Sequence, residues 1–437
     1  MTCYAKIQKN DFIPTLIYIA AALNFLFGCP SLHAVSWTSQ KSEAKITAES
    51  RPTIVSRIPT SGKVRYVSTT GSNKADGSAK NSWRTVQYAL SQLKAGDTLY
   101  IMEGTYRESV KLVASGSLSR YITIQGAGKV VFDGTHLPYY RPMFDTNGQD
   151  YIKFKNIKVV YSRAGVDVNS GSHHIVIDGL KTEHSQFAVK MNNASFVRVK
   201  NSTAKHSRNA FRGDGNTHHV SFDHIVTYGA KDIYKGYDKN YLNGDGFIFE
   251  SATHHLTFKN IVSHHNWDAG LDIKGSRVLI QNVVVYGNKN GLKLWGKEIL
   301  VKNALVYGNP KQKKADGSTI DGMGLNARPG AEVVITNSTF ADNGAEDVKA
   351  ASRSIVLLQN SVIARKSSGK LLGKYGAFSQ KNVIWYDRSR MSKDSTIGEA
   401  GLWADPQFVD WTGKNFRLNP KSPANELHAG YSYAGFR

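Results

Sequence analysis

The chain has 437 residues, with 56 Lys and Arg against 34 Asp and Glu, for a formal net charge of +22. That length would ordinarily divide into two or three domains, unless repetition extends one core. The charge excess favours a polyanionic partner, whether nucleic acid, an anionic membrane or an acidic polysaccharide. The lysines are spread along the chain and no zinc-finger spacing or other compact nucleic-acid motif occurs, which argues against nucleic acid.

Residues 1–34 have the layout of a secretory signal peptide: Lys6 and Lys9, then the apolar run Phe12 to Phe27, then small residues as far as Ala34. Both cysteines, Cys3 and Cys29, lie in this segment, and Leu26-Phe27-Gly28-Cys29 gives a lipid anchor through Cys29 as the alternative to secretion. A retained membrane anchor fits less well because the run is short, and no later stretch is long and apolar enough to span a bilayer. Residues 35–62 are polar and aperiodic and read as a linker. From Val64 regular structure is expected, with a strand over Arg65 to Ser68 and a helix capped by Ser82 that places Val86, Ala89, Leu90 and Leu93 on one face, with Gly96 following its end. Such a helix suits the cap that a solenoid needs over its first coil.

From Tyr121 the chain repeats. Alternating strands end at 156, 179, 201, 224, 260, 282, 303, 337 and 360, and seven of these nine positions are Asn. A period of about 22 residues is too short for a propeller blade and lacks the leucine pattern of a leucine-rich repeat. It predicts an all-β chain, a single-stranded right-handed parallel β-helix over 63–430 with an N-terminal capping helix. The repeated Asn is expected to point inward and to bond the backbone of neighbouring coils as a ladder. Two intervals are long, from His224 to Asn260 and from Asn303 to Asn337. The added residues enter after Tyr228-Gly229 and after Tyr307-Gly308, the second group carrying Lys311, Lys313, Lys314 and Asp321. Both groups should wall one groove, because long loops in a regular solenoid are more often functional than not.

Within that groove the repeat contains a Gly-apolar strand, as in Gly246-Phe247-Ile248-Phe249, Gly270-Leu271-Asp272-Ile273 and Gly291-Leu292-Lys293-Leu294. Strand alternation points the third residue of each outward. Down the coils the outward column reads Asp167, Lys190, Arg212, Ile248, Asp272, Lys293, Asn326, Lys349. A solvated charge ladder would give the same column. Asp245, Asp268 and Asp272 should converge from adjacent coils, either as a hydrogen-bonded turn network or as an oxygen-only site for a hard cation such as Ca²⁺. A cation beside a lysine suits abstraction of the proton α to a uronate carboxylate, with neutral Lys293 as base. Ca²⁺ and Arg328 on the following coil are expected to lower the Lys293 pKa. Lys274, on the face of Asp272, is a candidate for holding a substrate carboxylate, and Trp267 and Trp295 are candidates for stacking on sugar rings or for packing. The histidines recur at turns and read as stacking or capping residues, with no HExxH motif or Cys/His cluster for zinc.

At Asn243-Gly244-Asp245-Gly246-Phe247, His265 to Asp272 and Asn290-Gly291-Leu292-Lys293-Leu294, the chain resembles the calcium-dependent pectate lyases of polysaccharide lyase family 9. The resemblance covers most of Val64 to Gly430, including Gly96-Asp97-Thr98 and the Asp405 to Ala424 ending. It implies Asp245, Asp268 and Asp272 as Ca²⁺ ligands and Lys293 as Brønsted base, while Arg328, Lys274 and Trp295 are expected at the substrate from their positions beside these residues. The family pattern has a second Asp after the one matching Asp268, where this chain has Ala269. The expected protein is a secreted, monomeric lyase of an acidic, uronate-containing polysaccharide. A non-catalytic β-helix that binds acidic glycans and a uronate epimerase are the alternatives. A glycoside hydrolase fits less well, because the acids stand beside a lysine rather than in a carboxylate pair.

Overall fold

A computed structural model describes residues 62–138, 140–231, 244–313, 319–320, 322–388 and 401–432. The signal peptide and nearly all of the linker, with Cys3 and Cys29, and Asn243, Lys314 and Asp321 of the two long intervals, lie outside these residues.

The described chain winds as a right-handed parallel β-helix. An 11-stranded sheet forms one wall, and a 17-stranded sheet supplies the rest of each coil. The long strands of the larger sheet, such as His254–His264 and Ser276–Tyr286, each carry a bend at the repeated position. Asn156, Asn201, Asn260, Asn282, Asn303, Asn337 and Asn360 all have φ between 46° and 55° there, with Gly179 and His224 also positive. Asn dominates this column because it tolerates the left-handed conformation that the bend requires, where β-branched residues are strained.

The side chains of that column do not point inward as the sequence suggests. Most lie at or near the coil surface and several bond along the column, Asn282 Nδ2 donating to Asn260 Oδ1 at 3.1 Å and Asn303 Nδ2 to Asn282 Oδ1 at 3.0 Å, while Asn303 and Asn337 also donate to the C-terminal carbonyls of Ser432 and His428 at 3.0 and 3.1 Å. A second ladder is buried at another corner. Asn266 Nδ2 donates to Asn288 Oδ1 (2.9 Å) and Asn309 Nδ2 to Asn343 Oδ1 (2.7 Å), while Asn288 N–H donates to Asn309 Oδ1 (2.9 Å). This ladder ends at Asp347, whose Oδ1 accepts from Asn343 N and Nδ2 at 2.9 and 2.8 Å and whose Oδ2 lies 3.2 Å from Nη1 of fully buried Arg365.

Between the walls runs an apolar stack. Phe211 lies against Phe247, and Phe222 against Phe258, at ring separations of 5.1 and 5.3 Å. Each such ring contributes roughly 1.5–3 kcal/mol by leaving water. The helix α1 (Val86–Gln92) covers the N-terminal end with Val86, Ala89 and Leu90 buried. Its cap is Thr85, whose side chain accepts from Tyr88 N, and not Ser82, which bonds Ser68 Oγ instead at 2.7 Å. The histidines stack between coils: Tyr151, His174, Phe196, His219 and His255 form one continuous column.

Candidate functional site

Six strands of the smaller sheet frame the site: β1 (Phe211–Asp214), β2 (Phe247–Phe249), β3 (Ala269–Ile273), β4 (Asn290–Leu294), β5 (Met323–Ala327) and β6 (Glu346–Ala350). The glycine that opens the repeated strand is required by space. A Cβ on Gly246 would come within 2.3 Å of Ser263 Oγ, and one on Gly270 within 2.4 Å of Val285 Cγ1. The chain therefore enters each strand at one fixed height, which aligns the residues that follow.

That alignment produces the outward column in register. Asp167 pairs with Lys190, Lys190 with Arg212, Arg212 with Ile248, Ile248 with Asp272, Asp272 with Lys293, Lys293 with Asn326, and Asn326 with Lys349. Asp245 sits two residues ahead of β2 and Asp268 immediately ahead of β3, and their carboxylates meet that of Asp272. One carboxylate oxygen from each lies within 4.8 Å of the others, and all three residues are buried.

The cations close in from the next coil. Lys293 Nζ stands 2.9 Å from Asp272 Oδ2 and 3.2 Å from Asp268 Oδ2, and Lys289 Nζ lies 3.3 Å from Asp268 Oδ1. Asn290 Nδ2 donates to Asp268 Oδ1 at 3.2 Å, Trp295 Nε1 to Asp272 Oδ1 at 2.8 Å, and Ala269 N–H to Asp245 Oδ1 at 2.8 Å. Three acids thus face two ammonium groups. Burial, reinforced by the charges of Asp268 and Asp272, pushes the Asp245 carboxyl well above the usual carboxylate range. Burial acts the same way on Asp268, but Lys293 and Lys289 outweigh it and hold that carboxyl below its ordinary value.

Lys293 departs from the sequence expectation. Burial pulls its pKa down, yet the carboxylates of Asp268, Asp272 and Asp245 outweigh that effect and hold it above the ordinary lysine value. The expected lowering relied on nearby positive charge, and the groups in contact with the ammonium are negative.

The remaining expected residues divide. Arg328, just after β5, lies with its guanidinium 4.3 Å from the centre of the Trp295 ring, and its buried Nε has no hydrogen-bond partner. Trp295 spends its indole N–H on Asp272, and Trp267 is covered by Lys231 Nζ at 3.8 Å. Lys274 turns away from the acids to pair with Glu250 Oε2 at 2.8 Å. The sequence reading missed Lys289, Asn290, Glu250 and the buried Asn ladder. A signal for the ladder was present, since Asn266, Asn288 and Asn343 each precede the repeated strand by a few residues and Asn309 holds the same place in its coil, directly before the long interval.

The donor set fits a hard cation. It is all oxygen, and three buried carboxylates converge, with one oxygen of each within 4.8 Å of the others. Ala269 supplies a backbone N–H to Asp245 but no ligand of its own.

Coils of this kind, with one charged outer column, define a class of right-handed β-helix proteins, and comparison with known proteins agrees. A family model described as "Pel9A-like, right handed beta helix region" matches residues 65–289, and another, "Right handed beta helix region", matches 245–396. The first spans more than half of the chain, which therefore belongs to the Pel9A-like right-handed β-helix family. Among solved structures, pectate lyase Pel9A is similar at 18% identity and a TM-score of 0.54, over 83% of this chain and 91% of that one. A rhamnogalacturonan lyase is similar at 15% identity and 0.52, over 84% and 99%. The GH136 lacto-N-biosidase from Eubacterium ramulus follows at 11% and 0.58, over 74% and 68%. At such identities the likeness establishes the fold. The protein YwoF of Bacillus subtilis (strain 168) is 37% identical over 65 residues, which are 15% of this chain and 14% of YwoF.

Proposed function

We propose that the chain is a polysaccharide lyase that cleaves a uronate-containing, pectate-like polymer by β-elimination. The observation that carries this reading is the placement of Lys293 Nζ on the outer face of the sheet, in register with Asp272 and within 3.2 Å of two carboxylates. The names of two structures it resembles, a pectate lyase and a rhamnogalacturonan lyase, point the same way.

Asp245, Asp268 and Asp272 would hold Ca²⁺. Bound there, it would neutralise charge on the acids and on the substrate carboxylate. Lys293 takes the proton α to the uronate carboxylate onto Nζ as a neutral amine. The electron pair of that C–H bond forms the new C=C bond, the adjacent C–O bond to the leaving sugar breaks, and the leaving oxygen takes a proton from water. Trp295 fixes Asp272 through its indole N–H, and Arg328, one coil beyond Lys293 and lacking a partner for its Nε, offers its guanidinium to the substrate carboxylate. Secretion through residues 1–34 would bring such an enzyme to an extracellular substrate.

The test is ultraviolet absorbance of unsaturated sugar ends when the full chain meets a panel of polyuronates, with Ca²⁺ or with chelator. Product that requires both Lys293 and Ca²⁺ supports the reading. Activity unchanged in Lys293→Ala removes the base assignment, and activity indifferent to chelator removes the cation.

A further inference from the structure

Asp268 carries both ammonium groups of the site, and the two are held differently. Lys293 Nζ stands 3.2 Å from Asp268 Oδ2 and 2.9 Å from Asp272 Oδ2, and its residue is locked within β4 between Asp272 and Asn326. Lys289 Nζ lies 3.3 Å from Asp268 Oδ1, and among the described residues Asp268 is its one carboxylate partner. Lys289 also sits just ahead of β4, outside the strand ladder.

The backbone around Lys289 is nevertheless fixed. Asn288 N–H donates to Asn309 Oδ1 at 2.9 Å on one side, Asn290 Nδ2 donates to Asp268 Oδ1 at 3.2 Å on the other, and Met323 N–H donates to the Lys289 carbonyl at 3.1 Å. The side chain is therefore the part that can change partners. A divalent cation drawn to the three acids would stand against two ammonium charges, and like charges brought together in a buried site repel strongly. It would gain Asp268 at full strength only with one ammonium gone, and the one with a single carboxylate to lose is Lys289.

We infer that Lys289 is a built-in competitor for the cation: its ammonium occupies Asp268 until Ca²⁺ displaces it, and this exchange sets how much Ca²⁺ the site needs. The inference rests on the cation assignment made above and adds a residue that regulates it. Two of the three negative charges are already met by lysine, so the site belongs with weak, low-charge sites that fill at about 10⁻⁴–10⁻³ M Ca²⁺.

The test reads Ca²⁺ binding without substrate, by calorimetric titration of the chelator-treated full chain. Lys289→Met keeps the length of the side chain and removes its charge, and should tighten the Ca²⁺ Kd by about tenfold or more, as expected from removing one charged contact that the cation must break. Lys274→Met is the control, because it removes the same charge from a lysine that pairs with Glu250 and touches none of the three acids. Its Kd should stay within about twofold of the parent value. In the unaltered chain, Ca²⁺ should raise the rate at which acetic anhydride acetylates Lys289 severalfold relative to exposed Lys302, read by peptide mass spectrometry. A Kd that is unchanged or weaker in Lys289→Met, an equal tightening in Lys274→Met, or acetylation of Lys289 that does not rise with Ca²⁺ would overturn the inference and leave the cation assignment standing. Absence of Ca²⁺ binding to all three chains would overturn both, while Lys293 as base is judged separately by unsaturated product.

Discussion

Asp272 and Lys293 are register partners on adjacent strands, and the Lys293 ammonium rests 2.9 Å from Asp272 Oδ2. The contact sets a condition on catalysis, because the groups that place the lysine also keep it protonated. Lys293→Ala should lower the rate of unsaturated product formation by about a hundredfold or more, the usual contribution of a positioned base. A circular dichroism spectrum unchanged from the parent chain would show that the loss is chemical.

The convergence of Asp245, Asp268 and Asp272 predicts stabilisation by a cation whether or not substrate is present. At a hundredfold excess over its Kd, Ca²⁺ should stabilise the fold by about 2.7 kcal/mol. The midpoint of thermal unfolding should rise accordingly and fall back with chelator. Asp268→Asn should weaken the response. Ala269→Asp, which adds a carboxylate at the first residue of β3, should strengthen affinity by about tenfold, or about 1.4 kcal/mol.

The two Asn ladders should differ in weight. Asn309 is fully buried, accepts from Asn288 N–H and donates to Asn343 Oδ1, so Asn309→Ala strands groups on both neighbours. A cost of about 1–3 kcal/mol per stranded group is expected. Asn282 is half-buried at φ 53°, and Asn282→Gly removes its side chain while keeping the left-handed bend accessible. Its cost should stay near 1 kcal/mol, since water can replace the lost partners. Urea midpoints of the two variants measure the contrast.

Asp347 predicts a pH dependence. Burial pushes its carboxyl up to about 7, against the opposing pull of Arg365 and the Asn343 donors. Because the folded value lies above the unfolded one, the folded chain binds the proton more tightly. Stability from this group is therefore full below pH ~4, declines as pH rises toward 7, and is level above that, a span on the order of 4 kcal/mol. Asp347→Asn should flatten this part of the stability profile, even though it weakens the pairing of buried Arg365 at every pH. A parent profile that rises between pH 4 and 7 by the same amount as the variant's would contradict the assignment.

The coil and its outward column were legible in the sequence because both rest on local rules. Strand alternation decides which side of the sheet a residue faces, and the Gly-apolar repeat sets the register, so Asp272 beside Lys293 followed from spacing. The repeated Asn was legible as a corner, since the left-handed bend is a backbone preference of that residue type. Its direction was not, because whether a corner side chain points in or out depends on how successive coils pack. The same limit applied to the cap, where Ser82 and Thr85 are chemically equivalent and only the path of the chain assigns the role to Thr85.

Charge compensation was decided by the tertiary structure alone. Lys274 pairs with Glu250, Trp295 donates to Asp272, and Lys289 reaches Asp268, each across coils separated by 20 or more residues of chain. Sequence determined which charged residues this protein presents on one face. The three-dimensional packing determined which of those charges are already paired, and so which are left for a cation and a substrate, because Coulombic partners are chosen by distance in space.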